Sequence, residues 1–305
     1  SPGSIYKMVT ATAGLETGAI TTKTKINDTG VYPKFGNPVC WYWRSYRRGH
    51  GYLNVTQAIQ KSCNYFFYET GYRAGIENIV KYAEYYGLGM KTGIELLGEE
   101  TGTISRPEIV EARGEVWTPG YTLSAAIGQG DNGFTPIQMA RYISSLANGG
   151  NRVDVTLIKN IMKPDGTEVD KKELENYVNE RLGYTPTEVE DLNIKEENID
   201  AILEGMKGVT EDGGTAYSTF AGFDIEVAGK TGSAETGDPD KVNGWFVGFA
   251  PFDDPEISVT VLIENAGSGG FTAETARDIM AEYFGMNANE VKEDMTAIPS
   301  TQVQR

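Results

Sequence analysis

The chain has 305 residues with 39% apolar and 10% aromatic content, enough for a large buried core in one or two domains and unlike a disordered segment. Its 27 basic and 43 acidic residues give a net charge of −16, and the one basic cluster is Arg44, Arg47 and Arg48, which argues against nucleic acid as a partner. The single histidine, His50, speaks against a Ser-His-Asp hydrolase, and no apolar run approaches the roughly 18 residues that cross a bilayer.

Residues 5–16 predict a mostly buried helix that ends near Gly18. Its start carries Ser4-Ile5-Tyr6-Lys7. Positions i and i+3 of a helix share a face, so the Lys7 amine can reach the Ser4 hydroxyl and serve a serine nucleophile without histidine. Alone, Ser-x-x-Lys is equally a capping serine before a surface lysine. Residues 21–51, rich in Gly, Pro, Asn and aromatics, predict loops with short strands. Cys40 and Cys63 read as two separate thiols, because nothing in the sequence brings their Cα atoms together. Asp28, Cys40 and His50 have ligand chemistry, but their spacing matches no standard metal pattern, so no metal is assigned.

Helices are expected over 55–62, 65–74, 76–86, 136–148 and 199–209. Ser62-Cys63-Asn64 falls between the first two, ahead of the aromatic run 65–68. Lys91-Thr92-Gly93 has no alternating strand leading into it and reads as an ordinary turn. Residues 151–200 read as a variable insert without chemistry, with a Pro164-Asp165-Gly166 hairpin turn and a charged, partly helical stretch over 171–200. Strands follow over 225–230, 244–250 and 257–264, the first leading into Lys230-Thr231-Gly232-Ser233. Thr272 is expected to cap a last helix with Ala276, Ile279, Met280 and Phe284 on its sheet-facing side, and 286–305 to form a mobile tail.

Ser-x-x-Lys, Ser-x-Asn and Lys-Thr-Gly, in that order, form the signature of serine penicillin-recognising enzymes. Further landmarks follow in family order: Pro2-Gly3, Gly128-Gln129-Gly130, residues 135–140, 147–150 and 205–206, Gly214-Thr215-Ala216, and residues 244–251. The chain resembles the transpeptidase domain of class B penicillin-binding proteins over 1–285, and Gly51 to Val55 makes it most similar to the elongation-type group. The resemblance implies an α/β (α+β) fold, an antiparallel sheet flanked by helices plus an all-helical subdomain. In the family the first strands of that sheet, a pedestal domain and a membrane-anchoring helix precede the nucleophile, so this chain is expected to be a fragment lying at the outer face of the bacterial cytoplasmic membrane. An inactive isolated fragment is one outcome this implies.

The resemblance also implies a chemistry. Ser4 would attack the carbonyl between the last two D-alanines of a peptidoglycan stem peptide, release D-alanine, and pass the acyl group to an amine of a neighbouring stem. Lys7 as base needs a pKa about three units below the ordinary ~10.4, worth roughly 4 kcal/mol, and burial and Lys230 both push that way. Ser62 and Asn64 would complete the proton path and hold the peptide amide, with Ser62 passing the proton to the departing amine. Lys230, Thr231 and Ser233 would receive the terminal carboxylate, and Gly232 would leave room for substrate along the strand. The backbone N–H groups of Ser4 and Ser233 would form the oxyanion hole. No cofactor or metal is expected, although some elongation-type relatives carry zinc near Cys40 and His50. Expected partners are stem peptides and lipid-linked glycan strands, β-lactams, a glycosyltransferase and cell-elongation or division proteins. A β-lactamase is the alternative, but Glu95, Glu99, Glu100 and Glu115 occupy turn or loop contexts unlike a deacylating loop. A non-catalytic sensor is the other, and the landmarks over 128–150 argue against it.

Overall fold

The computed structural model describes residues 1–186, 191–238, 241–267 and 269–286. A 3-10 helix, Gly3–Tyr6, runs directly into α1 (Lys7–Glu16), which is buried from Lys7 to Leu15. The nucleophile motif thus lies on the tighter helix, where residues three apart eclipse and Ser4 stands over Lys7. Small residues let neighbours close on α1: a Cβ on Gly14 would sit 2.5 Å from Thr70 Cγ2 on α4.

A two-stranded antiparallel ribbon, β1 (Ile26–Asp28) and β2 (Gly51–Leu53), pairs Asp28 with Gly51. Between its strands lies α2 (Trp41–Tyr46). The helical part continues with α3 (Val55–Gln60), α4 (Asn64–Ala74), α5 (Ile76–Tyr85), α6 (Pro107–Ala112), α7 (Pro119–Ala126), α8 (Pro136–Ala147), α9 (Lys171–Leu182), α10 (Glu196–Thr210) and α11 (Tyr217–Phe220). Reciprocal capping boxes start α3 (Asn54 with Gln57) and α8 (Thr135 with Gln138).

Three strands, β3 (Ala228–Glu235), β4 (Val242–Ala250) and β5 (Ile257–Ile263), form an antiparallel sheet in that order. Lys230 pairs with Val247 and Ser233 with Gly244. The strand β4 is buried from Gly244 to Ala250 because α12 (Gly270–Tyr283) and α8 pack on the sheet, while α10 lies against β3 and α3. Helices flanking an antiparallel sheet, beside a helical part, match the expected α+β class.

Several boundaries differ from expectation for local reasons. The strand through Lys230 begins at Ala228, not at 225, because Glu226 O accepts from Phe252 N and Val227 O from Thr210 Oγ1. It continues through the whole Lys-Thr-Gly-Ser run to Glu235. The last helix is capped at Gly269, and the Thr272 hydroxyl donates to Gly269 O at 2.6 Å inside the first turn. That register buries Ala273, Ala276 and Met280 and leaves Ile279 44% exposed. The 160–167 hairpin forms around a Met162–Glu168 bridge, and Lys91-Thr92-Gly93 is a loop whose Thr92 amide and hydroxyl bond Glu99. Residues 287–305 of the expected tail lie outside the described residues. Among the described residues no helix is long and apolar enough to cross a membrane.

Candidate active site

Two distant segments meet at Lys7. Its fully buried amine donates to Ser62 O at 2.8 Å, Ser62 Oγ at 3.1 Å and Asn64 Oδ1 at 2.6 Å. The approach depends on an unusual backbone. Ser62 connects α3 to α4 with φ of 51°, a left-handed conformation that costs a serine about 1–3 kcal/mol and concentrates at functional sites. Asn64 is the first residue of α4, so its side chain is set by a helix start.

The expected partner of Lys7 was the Ser4 hydroxyl. Among the described residues that hydroxyl makes no hydrogen bond, and all three bonds of the amine go to Ser62 and Asn64. Ser4 is half-buried, so its oxygen remains open to an incoming group. Catalytic contacts of this kind tighten when substrate binds. Burial lowers the Lys7 pKa to about 8, against upward pulls from Cys40 and Cys63. Lys230, also fully buried, is pushed well below its ordinary value by burial and then by the Lys7 charge. Burial thus brings both amines toward neutrality.

The strand β3 lies against the nucleophile turn. A Cβ on Gly3, whose φ is 58°, would stand 2.5 Å from Ser233 O, and one on Gly232 would stand 2.9 Å from both Pro2 O and Ile5 Cγ2. Gly232 thus faces inward and permits close packing of the Ser4 turn. Ser233 O accepts from Gln129 Nε2 at 3.4 Å, on the edge away from β4. In an antiparallel strand a residue's N–H and C=O point to the same edge, so the Ser233 N–H also faces the Ser4 side. Lys230 Nζ donates to Thr231 O at 3.0 Å, and the Thr231 hydroxyl meets Thr215 Oγ1 at 2.8 Å. Gln129 and Thr215 were absent from the sequence-based site, although both belong to motifs singled out there.

A second cluster shares a residue with this site. Ligand atoms of Asp28, Cys40, His50 and Cys63 all lie within 4.8 Å of one another. Asp28 Oδ2 is 2.7 Å from His50 Nδ1 and 3.3 Å from Cys63 Sγ; Cys40 Sγ is 3.6 Å from His50 Nδ1 and 4.0 Å from Cys63 Sγ. Linear spacing gave no metal pattern because the four come from the ends of β1 and β2 and from the caps of α2 and α4. Two thiols, an imidazole and a carboxylate at these separations suit a tetrahedral zinc ion. Cys63 sits between Ser62 and Asn64, so the cluster adjoins the proton path directly.

Comparison with known proteins identifies the family. The family model "Penicillin binding protein transpeptidase domain" matches residues 1–281. Peptidoglycan D,D-transpeptidase MrdA of Haemophilus influenzae is 31% identical over 309 residues, covering 95% of this chain and 45% of that protein. The MrdA of Acinetobacter baumannii is 30% identical over 294 residues, covering 91% and 41%. Among solved structures, Pseudomonas aeruginosa PBP2 in complex with WCK 5153 superimposes with a TM-score of 0.77 at 30% identity, covering 92% of this chain and 60% of that one. The chain spans less than half the length of these curated relatives. With a family match running from the first residue into the last described helix, this chain belongs to the penicillin-binding protein transpeptidase domain family.

Proposed function

We propose that the chain is the acyl-transfer domain of an elongation-type peptidoglycan D,D-transpeptidase. The observation that carries this reading is the convergence of Lys7 with Ser62 and Asn64, more than fifty residues away, with a second buried lysine, Lys230, near enough to feel the Lys7 charge. Such a site has two amines, two hydroxyls and an amide, and needs no histidine.

Ser4 Oγ attacks the penultimate D-alanine carbonyl as its proton passes to neutral Lys7. With a pKa of about 8, a useful fraction of Lys7 is neutral near pH 7 and the rest is held ready by its three acceptors. The oxyanion would be received by the backbone N–H groups of Ser4 and Ser233. Ser62, 3.1 Å from Lys7, then delivers a proton to the departing D-alanine amine as the C–N bond breaks. Thr231 and Ser233 offer hydroxyls to the substrate carboxylate, with the Lys230 amine on the same strand.

Three of the four glutamates weighed for a β-lactamase are occupied elsewhere: Glu99 on Thr92, Glu95 on Leu157 and Thr156, Glu115 on Tyr121 and Arg113. This favours a persistent acyl-enzyme, and with it inhibition by β-lactams. Asp28, Cys40, His50 and Cys63 would hold zinc, which when bound supplies a rigid cross-link at the Ser62-Cys63-Asn64 turn. By its relatives, the whole protein would work at the outer face of the cytoplasmic membrane with elongation partners and a glycosyltransferase; the Helicobacter pylori PBP2 is known in complex with MreC, at 26% identity and a TM-score of 0.76.

The test is turnover of a donor peptide ending in D-Ala-D-Ala with a soluble amine acceptor. One D-alanine released per cross-linked product, abolished in Ser4→Ala, supports the reading. No release, or release that survives Ser4→Ala, refutes it.

A further inference from the structure

The Thr215 hydroxyl meets the Thr231 hydroxyl at 2.8 Å and makes no other hydrogen bond among the described residues. Nothing in the acyl-transfer mechanism uses it. Its place is nonetheless closely set by the backbone around it. Thr215 lies in the turn between α10 and α11, and a Cβ on Gly214 would collide with Gly208 O and Val209 O, so only glycine lets that turn press onto the end of α10. Ala216 N donates to Val209 O and Gly214 N to Glu211 O, both at 2.9 Å, which closes the turn on the helix. The same helix end is tied to the residue before β3, because the Thr210 hydroxyl donates to Val227 O at 2.6 Å. The turn therefore presents Thr215 to β3 from a fixed position.

Strand alternation puts Thr231 and Ser233 on one face of β3 and Lys230, Gly232 and Ala234 on the other. The second set is buried, whereas Thr231 is half-buried and Ser233 exposed. A carboxylate received by these two hydroxyls is an acceptor only, so it needs a proton from each. Thr231 has one proton to give. Spent on Thr215, it leaves the anion facing a lone pair; when Thr215 donates instead, the Thr231 proton is free to point at the carboxylate.

We propose that Thr215 is a positioning residue for the carboxylate end of the donor substrate: it donates to Thr231 Oγ1 and so commits the Thr231 proton to the carboxylate. The inference rests on the acyl-transfer reading and extends it to a residue outside the three motifs. Thr215 donates to Thr231 and Thr231 to the anion, a chain in which each bond polarises the next. The last of these, to a charged acceptor, has the larger net worth. A substrate whose terminal carboxyl is amidated escapes the demand, since its own NH2 donates to Thr231 whichever way that hydroxyl turns. Thr215 thus helps to select a free carboxylate over its amide and takes no part in bond making at Ser4.

The experiment compares the unaltered chain with Thr215→Val, which keeps the shape and removes the hydroxyl, and Thr215→Ser, which keeps the hydroxyl and removes the methyl. The first readout is release of the terminal residue from an N-acylated peptide ending in D-Ala-D-Ala. Thr215→Val should raise its half-saturating concentration about five- to tenfold with kcat within about twofold, and Thr215→Ser should match the unaltered chain. The second readout is equilibrium binding of that peptide and of its terminal amide in a Ser4→Ala background, followed by the Thr231 backbone amide resonance. Here Thr215→Val should weaken the carboxylate form by a similar factor and leave the amide within about twofold. Equal losses on both peptides, a loss in Thr215→Ser with none in Thr215→Val, or no loss in either variant overturns the proposal and leaves Thr215 a packing role. If the unaltered chain releases nothing, the acyl-transfer reading falls by itself. Binding then still decides the role of Thr215: selective weakening of the carboxylate form in Thr215→Val supports it, and equal binding, or none to any chain, overturns it.

Discussion

Lys7 Nζ touches Ser62 twice, at the carbonyl oxygen (2.8 Å) and at the hydroxyl (3.1 Å), across 55 residues of sequence. A buried amine thus fixes the position of a strained turn, and the turn in turn keeps the amine from solvent. With the base lowered to about 8, acylation by a β-lactam should accelerate from pH 6 to pH 9 with an apparent midpoint near 8, since only the neutral amine accepts the serine proton. Lys7→Met should slow acylation by about a hundredfold to ten-thousandfold and abolish that pH dependence. Stopped-flow acylation rates across pH check both.

Ser62→Gly separates the hydroxyl from the backbone. Glycine accepts a φ of 51° without strain, so the variant should melt at or above the temperature of the unaltered chain. Acylation should nevertheless fall by about a hundredfold or more, because the proton relay is gone. A melting scan beside an acylation rate measures the two effects separately.

Gly232→Ala tests the inward face of β3. The added methyl meets Pro2 O and Ile5 Cγ2 at 2.9 Å and Trp245 Cβ at 3.2 Å. The cost should be about 1–3 kcal/mol from overpacking, with slower acylation because the Ser4 turn is displaced. Gly133→Ala, where a Cβ would meet nothing within 4 Å and the backbone is not left-handed, serves as the control.

Elemental analysis of the purified chain should find close to one zinc per molecule, lost in Cys63→Ser. Chelation should lower the melting temperature and slow acylation together, because Cys63 lies between Ser62 and Asn64. Restoration of both on adding zinc, and not magnesium, would match the donor set.

What was legible in the sequence was periodic or ordered. The buried run of α1, the capped starts of α3 and α8, and the three motifs in family order all appear in the chain itself. The start of β3 was not, because the alternation at Ile225 to Val227 persists where those carbonyls bond α10 and Phe252 instead of a strand. That Gly232 also packs against the Ser4 turn was not legible, because nothing local says which face of a strand meets that turn. Asp28, Cys40 and His50 stood out by their chemistry, but Cys63 joins them only when α2 folds between β1 and β2 and against the α3–α4 turn.

The most direct measurement is the intact mass of the chain after incubation with penicillin, followed by mapping of the modified peptide. The account predicts one added drug mass, on the peptide containing Ser4, persisting after free drug is removed and absent in Ser4→Ala. Rapid drug hydrolysis with no adduct, or an adduct retained in Ser4→Ala, would contradict it.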